Sequence, residues 1–156
     1  MHRIGAGAPA RLRHASRASR ARCVAAFGLR SGAPWRYPRL MSQRVLIADD
    51  SAVARVTVAR RVRAAGFEVI ERDSCASASS VDASTIACAL LDFDLGDGFG
   101  VDVAARLRAE QGELPIAFFT SSDRDAVEQA SAFGPVFAKP DELDAAIDWI
   151  ERHGRR

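Results

Sequence analysis

Ala87-Cys88-Ala89-Leu90-Leu91-Asp92-Phe93-Asp94-Leu95-Gly96-Asp97-Gly98 is the stretch on which the reading of the chain turns. Small and apolar residues run without a break into a carboxylate, a second carboxylate follows two positions on, and glycines close the segment. A short, continuous apolar run bounded by turn residues reads as a strand buried on both faces. Asp92 then stands at the carboxyl end of that strand. In an open α/β sheet this edge is where ligands are bound.

Outward from this strand the pattern repeats. Val45-Leu46-Ile47-Ala48 runs into Asp49-Asp50, and Ser51 is a good cap for a helix that carries Val53, Val56 and Val62 and stops at Gly66. Phe67-Glu68-Val69-Ile70 is a second strand, and residues 74–81 are too Ser-rich for more than a weak helix. After the central strand, residues 86–91, a Gly98-Phe99-Gly100 turn leads to helical spacing of Val101, Val103, Ala104 and Leu107. Pro115-Ile116-Ala117-Phe118-Phe119 ends at Thr120, and Ser122 or Asp123 caps a helix reaching about Phe133. Val136-Phe137-Ala138 ends at Lys139-Pro140, and a last helix with Leu143, Ala146, Ile147 and Ile150 on one stripe ends near Gly154. Asp141, Glu142 and Asp144 are expected in its first turn, where the helix dipole favours acids. Strands alternating with crossover helices give a parallel sheet covered on both faces.

The bulk numbers suit one such domain. The chain has 156 residues, 48% hydrophobic and 27% charged, and no apolar run approaches the roughly 20 residues of a membrane span. Its three cysteines, Cys23, Cys75 and Cys88, lack metal-ligand spacing and read as free thiols in a reducing compartment, with Cys88 in the core. The net charge of +2 conceals two segments. Residues 1–40 hold nine Arg and no acid, whereas residues 41–156 hold 13 basic against 20 acidic residues, a net −7. Lys139 is the single lysine beside 21 arginines.

Residues 1–42 are therefore read as a basic extension without a core of its own. It could bind an anionic partner by charge or serve as an Arg- and Ser-rich transit peptide. Met41, directly before the first strand, also reads as a natural start, and a native protein beginning there or carrying a functionless tail is the favoured expectation.

Four strands end in groups suited to charged oxygens: Asp49-Asp50, Asp92, Thr120 and Lys139. A parallel sheet gathers them on one edge, while the second strand, lacking such a group, should lie away from it. Crowded carboxylates repel unless neutralised, and a hard cation such as Mg²⁺ meets that need. A lysine and a hydroxyl beside it suit a phosphoryl group, with Asp92 the candidate nucleophile. Taken singly, Asp49-Asp50 is a capping cluster, Thr120 a strand end, Lys139-Pro140 a charge before a helix and Asp92 a turn residue. Their shared position is what favours chemistry.

From about Arg44 to Arg152 the chain resembles a response-regulator receiver domain. The motifs that carry the likeness are Val45-Leu46-Ile47-Ala48-Asp49-Asp50-Ser51, Leu90-Leu91-Asp92 with Gly100 after it, Phe118-Phe119-Thr120-Ser121 and Lys139-Pro140. The resemblance implies a flavodoxin-like (βα)5 three-layer sandwich with parallel strand order 2-1-3-4-5, over residues 43–156. It implies a stand-alone, cytoplasmic regulator of a two-component phosphorelay, which is not an enzyme in its own right but assists its own phosphotransfer and dephosphorylation. Asp92 would accept a phosphoryl group from a histidine kinase or phosphotransfer protein. Mg²⁺ (or Mn²⁺) would be held by Asp50, Asp92 and the backbone carbonyl of Asp94, with Asp49 acting through water. Lys139 would pair with the phosphoryl group and Thr120 would move to bond it, and a cis Lys139–Pro140 peptide would help aim the lysine. A downstream protein would bind at the fourth helix, fifth strand and fifth helix. No DNA-binding domain and no membrane attachment are expected.

The chain departs from the family pattern at two places. Gly96 stands where a proline is usual, which predicts a mobile loop and weaker metal affinity, and Val136 stands where an aromatic is usual, Phe137 being turned to the opposite face. The stretch between Thr120 and Lys139 also predicts a trimmed fourth helix. Two other functions compete. One is a receiver-like adaptor working without phosphorylation. The other, more remote, is a haloacid-dehalogenase-type phosphatase, which shares Asp-x-Asp but places it on the first strand.

Overall fold

Five strands alternate with helices in the order the apolar runs predict. β1 is Arg44–Ala48, β2 Glu68–Arg72, β3 Cys88–Leu91, β4 Ile116–Thr120 and β5 Val136–Ala138. The helices are α1 Ala52–Ala64, α2 Cys75–Ser79, α3 Gly100–Glu110, α4 Arg124–Ser131 and α5 Leu143–His153, with a 3-10 turn at Ala83–Thr85. This computed structural model describes residues 43–155, so the expected extension over residues 1–42 lies outside the described residues. All strand pairs are parallel and the order is β2-β1-β3-β4-β5, the flavodoxin-like arrangement expected.

Side-chain alternation along the strands builds two cores. Leu46, Ala48, Ala89, Leu91, Ile116 and Phe118 point to one face and pack with α2, α3 and α4 through Ala78, Val103, Leu107 and Ala130. Val45, Ile47, Cys88, Leu90, Ala117 and Phe119 point to the other and meet α1 and α5 through Val58, Val62, Ala146 and Ile150. Every residue of β3 and β4 is buried, which is why these strands read as unbroken apolar runs.

Several boundaries move for local reasons. β2 runs two residues past Ile70 because its backbone stays paired with β1 through Ala48↔Arg72. α2 holds only five residues: Ser74 caps it, and the Ser80 hydroxyl bonds the Ser77 carbonyl that a longer helix would use. α4 spans eight residues, trimmed as expected, and Asp123 is its cap, accepting the Ala126 N–H at 3.1 Å. One helix face is settled and one reading of a helix start is corrected. Val53 and Val56 do not join Val62 in the core but are 79% and 56% exposed, because the buried stripe of α1 is Val58, Ala59 and Val62 on the opposite side. Asp141 and Glu142 precede α5 rather than occupying its first turn, where only Asp144 lies. The Glu142 carboxylate reaches back instead to the Ala138 N–H at 2.7 Å.

Candidate functional site

Parallel register brings the strand ends level. Ala48 pairs with Leu91, so Asp49 and Asp92 emerge side by side one residue later. Thr120 pairs with Ala138, so Lys139 follows on the same edge. β2 lies at the far side of β1, the position expected for a strand without a site residue.

The lysine joins the acids. Lys139 Nζ donates to Asp49 Oδ2 at 2.7 Å and to Asp92 Oδ2 at 2.5 Å. Its stem passes the Phe119 ring, with Nζ 5.7 Å from the centroid, and its backbone N–H donates to the Thr120 carbonyl at 2.9 Å. The Lys139–Pro140 peptide is cis, as the resemblance implies. Oxygens of Asp49, Asp50 and Asp92 all lie within 4.8 Å of one another. Three hard oxygen donors at this spacing fit a small divalent cation such as Mg²⁺.

Each carboxylate is held differently. Asp49 is buried; its Oδ1 accepts the Ser51 N–H at 2.9 Å, and Arg55 Nη1 donates to its carbonyl at 2.7 Å. Burial pushes the Asp49 carboxyl above the ordinary carboxylate range, and the Asp92 charge adds to the push while Lys139 and the Ser51 N–H oppose it. Asp92 is half-buried and its Oδ1 accepts the Phe93 N–H at 2.7 Å. Asp50 is exposed and free to face solvent.

Thr120, also buried, does not reach toward Asp92: its hydroxyl donates to Ser122 Oγ at 2.9 Å and accepts the Ser122 N–H at 3.2 Å. Asp94 is exposed, and its side chain accepts the Gly96 N–H at 2.9 Å. Two bonds close the loop around it, Leu95 N–H to Gly98 O at 2.9 Å and Gly100 N–H to Phe93 O at 2.7 Å, and neither uses the Asp94 carbonyl.

Both glycine positions gain a physical account. A Cβ on Gly100 would stand 2.0 Å from the Asp92 carbonyl oxygen, so the start of α3 packs directly on the backbone of Asp92. Gly96 has φ +76°, a conformation closed to proline, and a Cβ there would stand 3.7 Å from Asp50 Oδ2. The departure from proline therefore comes with a different turn.

Val136 and Phe137 point to opposite faces, Val136 packing with the α4 side and Phe137 with the α5 side. A cavity of about 360 Å³ lies between α4 and β5, lined by Thr120, Val127, Val136, Ala138 and Glu142. Sequence reasoning missed Arg55, Glu142 and Asp97 as supports of the site. Asp97 sits in the quoted stretch, but its partners, the N–H groups of Cys75 and Ala76, lie more than twenty positions earlier.

Comparison with solved structures returns receiver domains. The non-phosphorylated HemR receiver domain from Leptospira biflexa aligns at TM-score 0.63 and 20% identity, covering 72% of this chain and 94% of that one. The Vibrio cholerae chemotaxis protein CheY4 gives TM-score 0.61 and 18% identity over 70% of this chain and 97% of that one. A response regulator from Burkholderia pseudomallei with a phosphorylated aspartic acid, calcium ion and citrate gives 0.59 and 21% over 71% and 68%. Comparison with curated proteins gives no match. At these identities the solved structures establish the fold, and the sequence itself carries the assignment: residues 45–148 match the response regulator receiver domain, and the chain belongs to that family.

Proposed function

We propose that Asp92 accepts a phosphoryl group from a phosphohistidine of a histidine kinase or phosphotransfer protein, and that the modified domain changes its affinity for a protein partner. The observation that carries this reading is Lys139 Nζ bridging Asp49 and Asp92 from 47 residues beyond Asp92 in sequence. A lone ammonium between two carboxylates is placed to meet the oxygens of an incoming phosphoryl group. The Asp92 Oδ–P bond forms as the N–P bond breaks, and the electron pair returns to the donor's imidazole nitrogen.

Asp50, Asp92 and the Asp94 carbonyl would hold Mg²⁺ (or Mn²⁺), with Asp49 assisting through water. When bound, the cation neutralises charge on the transferring group. Lys139 then exchanges one carboxylate for a phosphoryl oxygen. Thr120 leaves Ser122 and turns its hydroxyl to another, a rotation that alters the floor of the cavity between α4 and β5. That change biases a two-state equilibrium read by a partner at the α4–β5–α5 face.

Residues 43–156 form the receiver in this reading, and residues 1–42 a basic extension. Neither Cys75 nor Cys88 is in a disulfide, which fits a reducing compartment such as the cytoplasm. Among the described residues no helix is long and apolar enough to cross a membrane. Asp92-Phe93-Asp94 begins at the end of the third strand, not the first, which counts against the phosphatase alternative.

The test is incubation with Mg²⁺ and a small phosphodonor such as acetyl phosphate, comparing the wild type with Asp92→Asn. Labelling of the wild type alone is expected. Equal labelling of both refutes Asp92 as acceptor, absence of label in both favours the adaptor, and steady ester hydrolysis favours the phosphatase.

A further inference from the structure

We propose that Asp97 is a positioning residue for the metal end of the site, setting the loop that carries the Asp94 carbonyl. The inference rests on the metal reading above and extends it to a side chain outside the acidic cluster.

The loop from Phe93 to Phe99 lacks the rigidity a proline would give. Its turn passes through Gly96 at φ +76°, the residue with the least intrinsic restraint. Leu95 is 1% exposed and anchors one side of the turn in the core. The other side is held by Asp97 alone among the charged residues of the loop. Asp97 Oδ1 accepts the Cys75 N–H at 2.5 Å and Oδ2 accepts the Ala76 N–H at 3.0 Å. These are two of the backbone donors that the first turn of α2 cannot pair within the helix. The carboxylate thus clamps the loop to α2 with both oxygens.

Packing supports the same contact. A Cβ on Gly98 would stand 2.9 Å from Cys75 Cβ and from Cys75 Sγ, so the loop backbone lies flush against the start of α2. The Cys75 thiol lies 3.8 Å from the Phe99 carbonyl, to which it donates. Asp97 itself is exposed and fills no space in the core, so hydrogen bonding rather than packing is its contribution. The two N–H bonds hold its carboxyl below the ordinary range, as a clamp on the ionised form requires.

If the clamp is cut, the loop is free to hinge at Gly96, and the Asp94 carbonyl loses its fixed distance from Asp50 and Asp92. Partners that orient ligands from outside the coordination sphere typically govern metal affinity about tenfold or more. Calorimetric titration with MgCl₂, without phosphodonor, reads this directly on the full chain. Asp97→Ala is expected to weaken Mg²⁺ binding roughly tenfold. Asp97→Asn, which keeps an acceptor and loses the charge, is expected to recover most of the affinity. Gly98→Ala keeps the carboxylate but forces the loop off Cys75, and it is expected to weaken binding as Asp97→Ala does. In metal-free protein, hydrogen exchange at the Leu95 N–H should accelerate in Asp97→Ala.

Wild-type affinity in Asp97→Ala, or an Asn variant as weak as the Ala variant, overturns the positioning role, the second result assigning the effect to charge alone. Wild-type protein that takes up no Mg²⁺ overturns the metal reading and this inference together. A wild type that binds Mg²⁺ beside an unaffected Asp97→Ala overturns the inference while leaving that reading intact.

Discussion

At Gly100 the backbone of α3 lies against the Asp92 carbonyl, with room for hydrogen and nothing larger. Gly100→Ala should cost about 1–3 kcal/mol of stability through forced backbone movement, measurable by urea unfolding, and should slow labelling of Asp92 by shifting it. Lys139 is the charge that makes the buried Asp49 tolerable. Lys139→Met leaves Asp49 and Asp92 facing each other without a cation, at a cost of about 2 kcal/mol. Urea unfolding in saturating Mg²⁺ should recover part of that loss, because a cation can replace the ammonium. At this scale the sequence was informative about residue type and poor about partners. The acids and the lysine were legible because each ends an apolar run. Thr120 was legible as a position, but its bond to Ser122 depends on a side-chain rotation that no spacing encodes.

Loops and element ends carry the support. Asp97 holds the start of α2 with its ionised carboxylate, and its folded pKa lies below the ordinary 3.8. The sign follows. The unfolded state binds its proton first as pH falls, so the contribution to stability is full above the ordinary value, declines below it and is gone once pH passes the depressed one. Comparing wild type with Asp97→Asn by urea unfolding, the wild type's advantage should shrink as pH falls through the ordinary carboxylate value toward the depressed one. Glu142 acts on an edge. β5 is the last strand of the sheet, and its outward-facing Ala138 is occupied on both groups: its N–H donates to the Glu142 carboxylate at 2.7 Å, and its carbonyl accepts the Glu142 N–H at 2.9 Å. An exposed strand edge is a template for unwanted pairing. Glu142→Ala should cost about 1 kcal/mol and speed hydrogen exchange at the Ala138 N–H. The acids at 141, 142 and 144 read in sequence as a helix start favoured by the dipole. Folding used Glu142 for the strand instead, because β5 and the start of α5 are brought into contact by the intervening turn.

Across the whole molecule, one edge of the sheet gathers the acids and the lysine, and the flanking helices frame it. Ser51, Val53, Thr57, Phe119, Pro140 and Leu143 line a cavity of about 380 Å³ beside Lys139, between α1 and the start of α5. Val56 is exposed on the same helix. Val56→Asp should leave stability within about 0.5 kcal/mol of wild type. It should slow phosphotransfer from a protein donor while leaving labelling by acetyl phosphate unchanged, a contrast that separates docking from chemistry.

The sequence by itself determined the alternation of strands and helices, the burial of both sheet faces and the identity of the charged strand ends, because each is a local pattern of apolar runs, caps and breakers. The family match covers residues 45–148, the span that holds those strand ends. Tertiary structure alone decided which groups meet. The parallel register that sets Asp49 beside Asp92, the reach of Lys139 across 90 positions to Asp49, and the clamp from Asp97 to α2 are long-range contacts. Their energies depend on distances that only the closed sheet fixes. Gly96 shows the division most plainly: in sequence it is a missing proline, while in the fold it is a left-handed turn beside Asp50.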